Sequence, residues 1–190
     1  MAKKYEFRPD KPYSGFWGKL LLTRLQRKAL LKWCLYALVL IGLSVLQDVV
    51  LCRFRLFGAT TELVPCGIFL ICLLEGMERG CIFALVASLL YLFSGTAAGI
   101  YSIVFITTLA VGVSFLRQSY LQKGFGSAML CTGIAMVVYE LAVFAFGAFL
   151  GMTTFPRVGS FLMTAVMTMV AAPALYPLLK AIGGGDIWKE

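Results

Sequence analysis

Apolar residues along this chain fall into six blocks, separated by short segments rich in charged residues, Gly or Pro. A helix that crosses the hydrocarbon core of a bilayer needs about 20 predominantly apolar residues, or about 17 if the span is short. The pattern therefore predicts an all-α membrane protein, a bundle of about six transmembrane helices within residues 33–182. The predicted helices cover approximately residues 33–51, 61–74, 81–93, 100–116, 128–150 and 161–179.

The second and third blocks are shorter than a full span requires. They are either short helices buried inside the bundle or a hairpin that does not cross the membrane completely, and we favour the short, buried helices. In the sixth block, Pro173 and Pro177 lack backbone donors and are expected to kink the helix.

Composition agrees with a membrane protein. Hydrophobic residues make up 61% of the chain, and the mean hydropathy is +0.90. A water-soluble domain is less apolar than this. The chain has no His, and its six Cys show no Cys-x-x-Cys spacing. We therefore predict no metal site and no cofactor.

The N-terminal tail, residues 1–32, holds nine of the 17 Lys and Arg residues. Within it, residues 16–32 combine an apolar stripe with clustered cations, which predicts a basic amphipathic helix lying on the anionic inner leaflet. The alternative is that these cations only set the topology. The net charge of +8 needs no nucleic-acid partner, because a cytoplasmic tail explains it. The predicted lipid-binding residues are Lys19, Arg24, Arg27, Lys28 and Lys32.

Basic residues also predict the orientation of the bundle, because basic loops are retained on the cytoplasmic side of a membrane. Only Arg53, Arg55 and Arg157 fall on the side opposite the N-terminal tail. Both termini, including the short tail at residues 183–190, are therefore predicted to be cytoplasmic. A hairpin at the second and third blocks would leave this prediction unchanged.

Glu140 is the acidic residue deepest in an apolar block, near the middle of the fifth one. Polar groups inside a membrane are costly and usually face a partner or a cavity. As a structural residue, Glu140 would be a neutral or paired acid that hydrogen-bonds across helices, and we favour this role. As a functional residue, it would be a proton relay or a ligand group. The candidate hydrogen-bond partners are Tyr91, Tyr101, Thr107 and Ser114.

Other acidic residues lie nearer the ends of the blocks. Asp48 is expected to pair with Arg53 or Arg55 at the end of the first helix. Glu62 is expected to cap the start of the second helix, where the helix dipole favours a carboxylate. Glu75 and Glu78 are expected to be solvated in the turn between the second and third helices.

Small residues form a stripe with a period of four into the third block. Such a stripe makes a groove in which another helix backbone can approach closely. It either packs within the chain, which is the more frequent case, or contacts a partner protein. The stripe consists of Gly76, Gly80, Ala84 and Ser88.

The sequence gives little support for a catalytic function. General acid–base or nucleophilic catalysis requires at least two convergent polar groups. Glu140 has no second acid, Lys or His in the same layer of any block. We therefore predict no catalytic residue and no enzymatic activity.

Several short runs occur in a recognisable order within residues 34–182. They are Phe57 to Leu63, Gly76 to Gly80, Leu89 to Gly95 followed by Gly99 to Tyr101, Leu116-Arg117, and Pro173 to Lys180. Together they resemble the rod-shape-determining membrane protein family MreD. The chain has Thr61-Glu62 where that family often has Pro-Asp, and Tyr91 where it often has an aspartate.

The resemblance implies a non-catalytic, multi-pass protein of the bacterial cell membrane that takes part in lateral cell-wall elongation and in the regulation of cell shape. It also implies an MreC-like single-span partner, through which the MreB filament is linked to peptidoglycan synthases. The alternative is the substrate-binding subunit of an energy-coupling-factor vitamin transporter, which shares the six-helix plan. In that case the loop at residues 94–101 would line an external pocket. The first helix lacks the Ala-x-x-x-Ala spacing typical of those subunits.

Overall fold

The computed structural model describes residues 24–53, 58–120 and 124–183. These residues form six α-helices and two short 3-10 turns, Leu51–Arg53 and Phe155–Arg157. The all-helical prediction is therefore confirmed for the described residues. The helices are α1 Arg24–Val49, α2 Leu63–Glu75, α3 Met77–Phe93, α4 Tyr101–Tyr120, α5 Phe125–Phe149 and α6 Val158–Gly183.

Three segments are long and apolar enough to cross a membrane: Ala29–Val49, Phe125–Phe149 and Phe155–Gly183. Shorter apolar helices lie at Leu63–Glu75 and Tyr101–Arg117. Many large apolar side chains are exposed on the outside of the helices, as a lipid-facing surface requires. Length, composition and surface thus identify a helical membrane protein.

Helix α2 lies at the centre of the bundle. All of its residues from 63 to 73 are buried, and it contacts each of the other five helices. Its 13 residues span about 20 Å at 1.5 Å per residue, less than the hydrocarbon core of about 30 Å. Helix α2 is therefore the short, buried helix that the sequence predicts. Helix α3 instead buries one face and exposes residues such as Ile82 and Phe93 on the other.

Successive helices run in alternating directions between two ends of the bundle. We call the end where α2 starts the Glu62 end, and the end where it stops the Glu75 end. Helix α1 starts beside Glu75, and its far end contacts the start of α2. The last described residue, Gly183, also lies beside Glu75. The first and last described helices therefore begin and end on the same side.

Helix α1 differs from the prediction of a separate interfacial helix over residues 16–32. Residues 24–32 continue without a break into the apolar segment, as one helix of 26 residues. No Gly or Pro interrupts the chain between residues 24 and 41, so nothing in the backbone stops the helix there. Residues 16–23 lie outside the described residues.

Helix α6 runs through Pro173 and Pro177 to Gly183. Both prolines are exposed on the outer face of the helix, where their rings do not disturb the packed interior. Proline inside a membrane helix is tolerated when other groups satisfy the freed carbonyls.

Candidate functional site: two polar clusters in the bundle

A buried ion pair holds the Glu75 end of the bundle together. The Lys32 ammonium group donates to Glu75 Oε2 at 2.8 Å and lies 2.6 Å from Glu75 Oε1. The Tyr36 hydroxyl donates to Glu75 Oε1 at 2.7 Å. The side chains of Lys32 and Glu75 are only 10% and 6% exposed. We call Lys32, Tyr36 and Glu75 the Glu75 cluster.

Aromatic and small residues enclose the Glu75 cluster. The Trp33 ring lies 5.8 Å from the Tyr36 ring and 5.2 Å from the Phe83 ring, measured between centroids. A Cβ atom at Gly183 would lie 2.5 Å from the Tyr36 hydroxyl oxygen, so α6 approaches the cluster through a residue without a side chain. The ion pair is thus shielded from water, which strengthens its attraction and raises the cost of breaking it.

The Glu75 cluster departs from two expectations. Glu75 was expected to be solvated, but its side chain is buried and paired. Lys32 was expected to bind lipid headgroups, but its ammonium group is committed to Glu75. The reason is geometric: α1 continues through residue 32 beside the end of α2, and this brings two residues 43 positions apart into contact.

The other predicted lipid-binding residues fall at or beyond the edge of the described chain. Arg27 is exposed on α1. Arg24 and Lys28 belong to the same helix, but their side chains lie outside the description, as does all of Lys19. The prediction of a basic lipid-binding surface stays a prediction for these four residues.

A second polar cluster lies at the Glu62 end, where Gln47 of α1 caps α2. Gln47 Oε1 accepts hydrogen bonds from the backbone N–H groups of Leu63, at 2.9 Å, and Val64, at 3.3 Å. Thr168 Oγ1 of α6 accepts the N–H of Glu62 at 3.0 Å. Three amide groups at the start of α2 are thus satisfied by side chains from other helices, as a buried helix end requires.

The sequence predicts that the Glu62 carboxylate caps the start of α2, but the structure shows it in another contact. Glu62 occupies the N-cap position of α2, but its side chain forms no capping hydrogen bond. Its Oε2 atom instead accepts from the Tyr91 hydroxyl of α3 at 3.4 Å. Asp48 is exposed, as is Arg53, whereas Arg55 lies outside the described residues.

Glu140 is buried beside these groups, with 1% of its surface exposed. It lies close enough to Glu62 for the two carboxylates to interact electrostatically, and Tyr91 and Tyr139 lie within the same range. Of the partners predicted for Glu140, Tyr101 and Thr107 donate to backbone carbonyls instead. Glu140 Oε1 has no hydrogen-bond partner among the described residues. We call Gln47, Glu62, Tyr91, Ser102, Tyr139, Glu140 and Thr168 the Glu62 cluster.

The small-residue stripe packs inside the chain. A Cβ at Gly80 would lie 3.0 Å from the Cα of Cys72, so α2 and α3 touch through their backbones at this point. Ala84 and Ser88 are buried as well. Gly76 has a different role, because its positive φ of 90° makes the one-residue link between α2 and α3. The stripe therefore belongs to the interior of the fold.

Described residues line apolar grooves on the outer surface of the bundle, of which two are well defined. One lies between α5 and α6, has a volume of about 500 Å³ and is lined by residues including Met129, Ile134 and Met169. The other lies between α1 and α3, measures about 290 Å³ and includes Leu40 and Leu90. Their linings suit lipid chains or another helix better than a polar solute.

Comparison of the chain with protein-family models, with curated proteins and with solved structures gives no match. Any proposal about function therefore depends on the geometry of the described residues. This geometry offers a shielded ion pair at one end, a cluster of oxygen atoms at the other and an apolar exterior between them. The oxygen groups of the Glu62 cluster are hard ligands. Protons and alkali or alkaline-earth ions prefer ligands of this type.

Proposed function

We propose that the chain is a non-catalytic scaffold of the bacterial cell-wall elongation machinery, resembling the MreD family. In this role its six described helices lie in the plasma membrane, and it holds an MreC-like single-span protein and other elongation proteins in place. The MreB filament and the peptidoglycan synthases are coupled through that assembly. Its action consists of packing, so it needs no catalytic group and no cofactor.

The packing of α2 is the observation that supports this proposal most directly. Helix α2 is buried along its length and contacts every other helix. Its side chains Phe69 and Ile71 are fully buried, as is Met136 of α5. A bundle filled in this way is a rigid body with an apolar outer surface, which suits a scaffold that holds other membrane helices.

The proposed orientation places the Glu75 end in the cytoplasm. Lys32, Arg79, Arg117 and Lys180 belong to this end, whereas Arg157 is exposed at the opposite end. This distribution follows the retention of basic loops on the cytoplasmic side. A cysteine introduced by Arg157→Cys should then react with a membrane-impermeant thiol reagent added to intact cells. Labelling only after the membrane is opened would reverse the orientation.

Capture of native partners tests the proposed function. The tagged full chain should be crosslinked in the membranes of its own host, purified, and its partners identified by mass spectrometry. The proposal predicts an MreC-like protein with one membrane span among the partners, at a level well above that captured by an unrelated multi-pass protein carrying the same tag. Capture without any component of the elongation machinery would contradict the proposal.

The transporter alternative makes a different prediction for the same experiment. It is favoured by the Glu62 cluster, which gathers polar groups at the end of the bundle where a solute would enter from outside. A vitamin-binding subunit should bring down an ATP-hydrolysing module and its membrane coupling subunit. It should also be stabilised against heat by one member of a vitamin panel.

A further inference from the structure

All six helices contribute to the Glu62 cluster. Gln47 comes from α1, Glu62 from the start of α2 and Tyr91 from α3. Ser102 of α4 lies beside Tyr139 of α5, and Glu140 follows on the same helix. Thr168 of α6 completes the set through the amide group of Glu62. No other set of polar side chains described above draws on every helix of the bundle.

Glu140 Oε1 has no hydrogen-bond partner in the described part of the chain, and the neighbouring Ser102 Oγ and Tyr139 OH have none apart from each other. All three residues are at least 99% buried. A buried polar atom left without a partner destabilises the fold, and an unpaired buried charge does so more strongly. The unpartnered oxygen of Glu140, an acid, therefore points to a group that binds it.

The charge of the cluster indicates which group this is. Glu62 and Glu140 lie within electrostatic range of each other, and the other groups of the cluster are the phenols of Tyr91 and Tyr139 together with the neutral side chains of Gln47, Ser102 and Thr168. Among the described residues, neither carboxylate forms a salt bridge with Lys or Arg. Two acids in this setting cannot both stay charged and unpaired. The cluster must acquire positive charge from solution.

We propose that the Glu62 cluster is a binding site for one monovalent cation, either an alkali-metal ion or a proton, with Glu140 as its charged ligand. Ser102 and Tyr139 supply neutral oxygen ligands, in keeping with the preference of hard cations for oxygen. Glu62 lies at the start of α2, at the end of the bundle, and Glu140 is fully buried. This site is independent of the proposed scaffold function.

Thermal unfolding of the purified full chain in detergent tests this site. The unfolding temperature is measured at pH 8.5 in N-methylglucamine chloride, a salt whose cation is too large to enter, and Na⁺ or K⁺ is titrated in at constant ionic strength. A second series, without alkali ions, lowers the pH from 9 to 5. Glu140→Gln removes the charged ligand at nearly constant volume, and Glu78→Gln removes an exposed acid on α3 as the control.

An alkali-metal site predicts a saturable rise of about 5 to 10 °C for the native chain at a hundredfold excess over the dissociation constant. A proton site predicts a similar rise on lowering the pH, with no alkali response. In either case Glu78→Gln should respond as the native chain does, and Glu140→Gln should not respond and should unfold near the temperature of the loaded native chain. Glu62→Gln should weaken the response and serves as the second variant if Glu140→Gln does not accumulate.

Two results would overturn the proposal. The first is a native chain whose unfolding temperature responds neither to alkali ions nor to pH. The second is a response that persists unchanged in Glu140→Gln, because the cation would then bind elsewhere.

Discussion

Lys32 Nζ and Glu75 Oε2 lie 2.8 Å apart and join the first part of α1 to the last residue of α2, although 43 positions separate them in the chain. Helix α2 is the centre of the bundle, so this pair attaches α1 to the core. A surface ion pair contributes little to stability, but one that is nine-tenths buried cannot lose one partner without leaving a charge in an apolar setting.

We predict that Lys32→Met destabilises the protein by up to about 3 to 5 kcal/mol, because the buried Glu75 carboxylate loses its paired ammonium group and keeps only Arg117 within electrostatic range. Arg27→Met, on the same helix at an exposed position, is the matched control and should change stability little. Thermal unfolding in detergent measures both variants. Equal unfolding temperatures for the two would contradict a role of the pair in the fold. Adding Glu75→Leu to Lys32→Met should recover much of the loss.

Gln47→Leu should destabilise the protein by about 1 to 3 kcal/mol, because the N–H groups of Leu63 and Val64 lose their shared acceptor. The change keeps the side-chain volume almost constant, so the loss reports the hydrogen bonds. Asp48→Asn, at the exposed neighbouring position, should be close to neutral. Hydrogen exchange at the start of α2 measures the effect locally. Unaltered protection there would show that Gln47 is not the cap.

Gly80→Ala should cost about 1 to 3 kcal/mol, because its Cβ would lie 3.0 Å from the backbone of α2 and must push the two helices apart. Gly112→Ala, where a Cβ has open space, should be neutral or stabilising by up to about 1 kcal/mol through helix propensity. Unfolding temperatures of the two variants give the comparison. If Gly80→Ala were as stable as Gly112→Ala, the close contact of α2 with α3 would be disproved.

Anionic lipid should be held by the first helical turns through Arg24, Arg27 and Lys28, and not through Lys32. Each cation near an anionic surface contributes about 1 kcal/mol, so replacing all three by Gln should reduce the anionic lipid retained by the chain. Lys32→Gln should lower stability but leave lipid retention unchanged. Native mass spectrometry after purification in mixed lipid micelles gives the lipid count. A larger loss of lipid in Lys32→Gln would contradict the assignment.

The sequence predicts the number and order of the described helices well, because apolar blocks and their interruptions report the solvent around each segment directly. The six blocks correspond one to one with α1 to α6. The helix ends are predicted less well. Helix α1 already includes Arg24, nine residues before Trp33, since the helical backbone tolerates charged residues outside the apolar layer.

The sequence does not predict which polar residues contact each other. Glu140 and Glu62 are recognisable because they are acids in or beside apolar runs, and the structure places both in one cluster. Glu75 looks like a solvated turn residue, since nothing in its neighbourhood along the chain reveals that Lys32 and Tyr36 will enclose it. Gln47 is similar: its capping role depends on where α1 ends relative to α2, which is a property of the packed bundle.

The proposed role in cell-wall elongation is tested most directly by depleting the chain in its own rod-shaped host and measuring cell width. A scaffold of the elongation machinery predicts that cells widen and become round as the protein is lost, and that the native chain restores their shape. Cells that keep a normal width and a normal rod shape after complete loss of the chain would contradict this role.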